Sequence, residues 1–193
     1  IVLKFSFKLL AQLIHNIDEC RMKLLRDAPL IEETKKLLTT SSDDNLVEFS
    51  CIILHYVCDD PKYIDAMGRD EVFLHSIFNH LRSHDVDIFL NSLRLLNVIM
   101  RNSMLIAFVL NVKDFPFKNL QVELKNDCHE IRLEALEGIL LISDIHQEHP
   151  FVEELTMERF VDVIYGICMV NLLFLLTFCA YLPPTHSNMK NWL

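Results

Sequence analysis

The chain has 193 residues, 51% of them apolar and 23% charged, a balance that excludes wholesale disorder and suffices for a sizeable buried core. Eighteen Lys and Arg against 27 Asp and Glu give a formal net charge of -9, which argues against a nonspecific binder of nucleic-acid phosphates. Three glycines leave little room for phosphate-cradling loops, and six cysteines without a CxxC pair point to a reduced compartment, cytosolic or nuclear.

The first element starts at once. "IVLKFSFKLLAQLI" at 1–14 has a helical apolar rhythm and neither the basic start nor the small-residue cleavage site of a signal peptide, and it reads as part of a longer repeat protein. Residues 44–59 read as an amphipathic helix, Pro61 opens a short helix to about Met67, Gly68 is expected to end it in the left-handed conformation, and "EVFLHSIFNHLRS" follows as another helix. "SLRLLNVIM" from Ser92 is the next long apolar helix. After it Asn111 stands where a left-handed glycine is expected, and Pro116 should delay the following helix. A loop at 111–118 would then either pack Phe115 and Phe117 into a repeat interface or offer them to a partner. "ALEGILLIS" from Ala135 closes the periodic part.

Four of these helices can be placed in register. Ser6, Ser50, Ser92 and Ala135 recur at spacings of 44, 42 and 43, each followed four places later by Leu10, Leu54, Leu96 or Ile139. Positions four apart share one helical face, so the small residue admits a neighbouring helix and the larger one fills the core. A polar break follows each copy, and a period of 40 to 47 residues is that of stacked helical repeats. One such unit leaves an apolar face bare, whereas a stack buries it; the expected fold is an all-α helical solenoid.

The small-residue helix, the polar break, the short helix ending at Gly68 and the middle helix ending near Leu81 resemble the armadillo repeat family, over residues 5 to about 160. The resemblance implies an armadillo-like superhelix (alpha-alpha) of three to four units over 1–160 and a protein-binding role. In family members that bind extended peptides, the third helix of each unit displays Asn, with Trp four positions earlier in cargo-binding import receptors. The matching positions here hold Gln12, Tyr56, Val98 and Leu141 in place of Asn, and Lys8, Ile52, Arg94 and Glu137 in place of Trp. Both ladders are missing, which leaves nuclear-transport cargo binding as a lesser alternative.

Residues 163–182 carry no formal charge over twenty positions, long enough for a membrane-spanning helix. Two readings stay open for 161–182: a core helix of the last repeat, or a membrane anchor that would make the chain a membrane-associated adaptor. Residues 183–193 read as a flexible tail.

Chemistry is sparse. Cys51, His55 and Cys58 share a helical face, but they sit among Ile, Leu and Tyr and lack a fourth ligand for tetrahedral zinc. His80 and His84 are four apart without the HExxH arrangement, and no nucleophile elbow, GxGxxG or GxxxxGK[ST] occurs. No catalytic, cofactor or metal site and no small-molecule substrate is therefore expected. The expected function is a noncatalytic protein-protein interaction scaffold or adaptor in the cytoplasm, with nucleus and membrane as alternatives and no nucleic-acid partner. Arg94, Asn97 and Glu137, with Phe115 and Phe117, are the candidate partner-binding residues. Glu130, Glu134 and Glu137 on one face would favour a basic partner surface, unless they serve only for solubility.

Overall fold

The computed structural model describes residues 1–143, all within the first of the two units, Ile1–Phe151 and Val152–Leu193, into which the chain divides. Among the described residues there are ten helices and no strand: α1 (Val2–Asn16), α2 (Asp18–Leu24), α3 (Ala28–Thr40), α4 (Asp44–Cys58), α5 (Pro61–Gly68), α6 (Glu71–His80), α7 (Val86–Met100), α8 (Ser103–Asn111), α9 (Phe117–Glu123) and α10 (His129–Ser143).

Short polar side chains at fixed places start most of them. Asp27, Asp43, Asp60, Asp70, Asp85 and Asn102 each accept a hydrogen bond from a first-turn N–H of the helix they precede. Pro61 occupies the first turn of α5, where its missing N–H is not needed. Five of the 27 acidic residues thus serve as helix caps. Pro116 has the expected delaying effect: α9 begins only at Phe117 and runs seven residues.

After α1 a group of two shorter helices and one long one recurs three times, as α2–α4, α5–α7 and α8–α10, with α3, α6 and α9 the middle helices. The long helices α1, α4, α7 and α10 all have 15 residues and pack successively, α1 on α4, α4 on α7 and α7 on α10. Each later long helix also packs on the middle helix of its unit, α3, α6 or α9, while α3 meets α6 and α5 meets α8. These sequential long-range contacts form an all-α fold consistent with a helical solenoid.

The buried stripe refines the expected register. Ser50, Leu54 and Val57 in α4, Ser92, Leu96 and Ile99 in α7, and Ala135, Ile139 and Ile142 in α10 are all fully buried. In α1 the corresponding buried residues are Phe7, Ala11 and Ile14, while Ser6 is exposed. The first copy exchanges large for small, Phe and Ala where the others have Ser or Ala followed by Leu or Ile, so alignment on the small residue misplaces it by one.

Two turn expectations are corrected. Among the described residues no glycine has a positive φ, and of the others Asp114 alone does, at 63°. Gly68 is therefore not a left-handed cap: a Cβ there would meet Leu105 Cδ1 at 2.6 Å and Ile99 Cγ2 at 3.1 Å, so close approach of α8 and α7 requires the glycine. Asn111 stays helical and its amide donates to Ala107 O at 2.7 Å; the left-handed residue comes three positions later, before Pro116.

The expected membrane association is also corrected. Among the described residues no helix is long and apolar enough to cross a membrane. The segment 163–182, on which that expectation rested, lies outside the described residues, as do the boundary at 160/161 and the tail 183–193. A membrane role is not carried further.

Candidate functional site

The successive long helices leave an open groove of about 530 Å³ along α1, α4 and α7. Ala11, Phe49, Ile52 and Tyr56 supply its apolar surface, and Lys8, Gln12, His15, Glu48, His55, Asn91 and Arg94 its polar groups. Helical periodicity explains the membership: Glu48, Ile52 and Tyr56 stand four apart on α4, as do Lys8 and Gln12 on α1. Ile52, Tyr56 and Arg94, three of the positions where the family resemblance expects ladder residues, line this groove together with Lys8 and Gln12.

Tyr56 is held from three sides. Its hydroxyl hydrogen-bonds His15 Nδ1, the Arg21 guanidinium lies 4.6 Å from its ring centroid, and the His55 ring meets it edge-on at 5.2 Å. Arg21 also donates from Nε and Nη2 to Ile14 O at 3.2 and 3.1 Å, closing the C-terminal end of α1 beneath the stack. An aromatic side chain tied in this way is a rigid contact surface. His55 has a buried Nδ1 without a hydrogen-bond partner, and burial lowers its pKa below the ordinary 6.5 against the opposing charge of Asp59.

Glu48 is the one carboxylate among the lining residues, which also include Lys8 and Arg94. Burial raises the pKa of Glu48 above its ordinary value, Asp87 and Asp85 raise it further, and Lys8 and Lys4 act in the opposite direction. A carboxylate that is partly desolvated and surrounded by others is stabilised by an incoming cation.

The candidate partner residues separate in space. Arg94 lines the groove and donates from Nη2 to Glu130 Oε2 at 2.9 Å and from Nε to Glu134 Oε1 at 3.3 Å. Asn97 is 0% exposed: its amide donates to Glu134 O at 2.8 Å and Glu134 Oε2 at 3.0 Å, fastening α7 to α10. Glu137 is half-buried and accepts from Arg101 Nε at 2.7 Å. The acidic stripe Glu130, Glu134 and Glu137 is thus engaged with α7. Phe115 and Phe117 are 9% and 1% exposed, and Phe115 packs edge-on against Phe78 at 5.5 Å between ring centroids. They sit inside the repeat packing.

Sequence reasoning missed His15, Glu48, Phe49 and Asn91. Their helical offset from Gln12, Ile52 and Arg94 was the available clue, but which flank of α4 turns to α1 depends on how the long helices cross. Among the described residues no group of three or more His, Cys, Asp or Glu is placed to hold a metal ion. Burial pushes the Cys51 and Cys58 thiols up to about 12, which makes both poor nucleophiles at neutral pH.

Comparisons with protein-family models, with curated proteins and with solved structures find no match to this chain.

Proposed function

We propose that the chain is a noncatalytic, armadillo-like interaction module that takes an extended segment of a protein partner into the groove along α1, α4 and α7. The observation that carries this reading is the groove itself: the immobilised Tyr56 ring, with Ile52, Phe49 and the partly desolvated carboxylate of Glu48 in the same lining. The partner segment places an apolar side chain against Tyr56 and Ile52 and a Lys or Arg beside Glu48, Asp85 and Asp87. Apolar burial supplies affinity, and charge complementarity supplies orientation and association rate. The Asn and Trp ladders of the family's peptide-binding members are replaced here, so Tyr56 and Ile52 make the contacts in their stead.

The test is selection of a displayed library of unstructured peptides against the full chain. Enriched peptides should combine a basic with an apolar residue, and Tyr56→Ala and Glu48→Gln should each weaken their binding roughly tenfold. No enrichment, or enriched peptides that bind both variants as well as the parent chain, would reject the groove as the binding surface.

A further inference from the structure

The long helices are not covered alike. Helices α4, α7 and α10 each pack on a middle helix of their own unit and on the long helix before them, whereas α1 packs on α4 and α2, both of which follow it. The consequence is an apolar face left open: Leu3 is 50% exposed, Phe5 66% and Leu9 56%.

The internal repeat identifies what belongs on that face. In the register of the buried stripe, Leu3 corresponds to Ile88 and Ile131, which are 3% and 2% exposed, and to the half-buried Leu46. Leu10, half-buried in α1, corresponds to Ile53 and Leu95, both 0% exposed. Leu9 corresponds to Ile52 in the groove.

We infer that this face of α1 is a stacking face for one more helical repeat of the same class, with an amphipathic helix in the role of α3 seated on Leu3 and Leu10. The contact continues an interface made three times already, by α3 on α4, α6 on α7 and α9 on α10. Such a unit also lengthens the groove by one repeat and brings Leu9 into it as the counterpart of Ile52. That last consequence rests on the proposed groove function; the stacking does not.

The test supplies such a unit from the chain's own sequence: a variant in which a second copy of residues 17–43 stands directly ahead of Ile1, so that the copied Asp43 stands three residues before Leu3 as Asp43 stands before Leu46. Its Tm should exceed the parent's by about 4 °C or more, and hydrogen exchange in α1 should slow. Leu3→Lys together with Leu10→Lys should abolish that gain and lower the Tm of the parent chain by less. A tandem variant with unchanged or lower Tm and unprotected α1 amides overturns the inference, as does a gain that survives the two lysines. Concentration-dependent self-association of the parent chain, lost on Leu3→Lys, would assign the face to a second copy and overturn it equally. All of these readouts are independent of peptide binding, so the two proposals fail separately.

Discussion

Asn97 on α7 and Gly138 on α10 approach so closely that a Cβ at position 138 would lie 3.0 Å from the Asn97 side-chain oxygen. Asn97 cannot easily retreat, because its amide is held by both the backbone and the carboxylate of Glu134. Gly138→Ala would ordinarily gain about 1 kcal/mol of helix propensity in mid-helix. Here it should instead destabilise the chain by about 1 kcal/mol in urea unfolding, because the cavity-free contact forces a shift. The double variant with Asn97→Ala should lose less than the two single changes combined. A more stable Gly138→Ala would show that the α7 and α10 seam is looser than its geometry states.

Gly68→Ala is the sharper case. The added methyl would meet Leu105 Cδ1 at 2.6 Å, and Leu105 is 0% exposed among its neighbours. The expected loss is about 2 kcal/mol, within the range for overpacking a closed core. Had the glycine served a left-handed turn, Gly68→Asn would be better tolerated than Gly68→Ala; the structure predicts the reverse order, because the larger side chain has less room.

Thiol reactivity should divide the cysteines. Cys51 and Cys58 are 0% and 1% exposed, with thiols pushed up to about 12 by burial, whereas Cys20 and Cys128 are partly exposed. Brief maleimide treatment at pH 7, followed by peptide mass spectrometry, should label Cys20 and Cys128, and should reach Cys51 and Cys58 only in denaturant. Labelling of Cys51 in the native chain would place α4 at the surface.

Stability should fall on mild acidification, and His55 should carry part of the change. Its pKa is lowered by burial, so as pH drops through the ordinary 6.5 the unfolded chain takes up a proton that the folded chain resists. The stability present above 6.5 is therefore lost as pH falls, and His55→Gln should flatten the pH 7 to 5 portion of the profile measured by urea unfolding. Asp70 acts lower. Burial opposes its ionisation, but the Lys35 ammonium at 2.6 Å and the Phe73 N–H outweigh it and hold its pKa below 3.8. Its contribution is present above that value and disappears as pH falls through the depressed pKa; Asp70→Asn should remove this acid limb.

Legibility in the sequence followed the range of the interaction. Ser50, Ser92 and Ala135, with their partners four places on, announced three of the long helices, and Pro61 and Pro116 marked where helices begin. These are effects within one or two turns of chain. Phe7 with Ala11 escaped notice because a large-small exchange preserves volume but not residue type. Glu130, Glu134 and Glu137 were legible as an acidic stripe, but not as the counterpart of Arg94 and Arg101, which lie some 36 to 40 positions earlier. The burial of Asn97, three places from the groove residue Arg94, turns on the same crossing of α7 and α10.

By itself the amino-acid pattern determined that this is a chain of recurring helices with polar breaks, since periodicity and proline placement act locally. Tertiary packing decided the rest: which flank of each long helix faces a groove, which carboxylates are spent in ion pairs, and why Gly68 and Gly138 must lack a side chain. The physical reason is that these depend on sub-ångström approach between surfaces brought together across a repeat, and no single segment contains that distance.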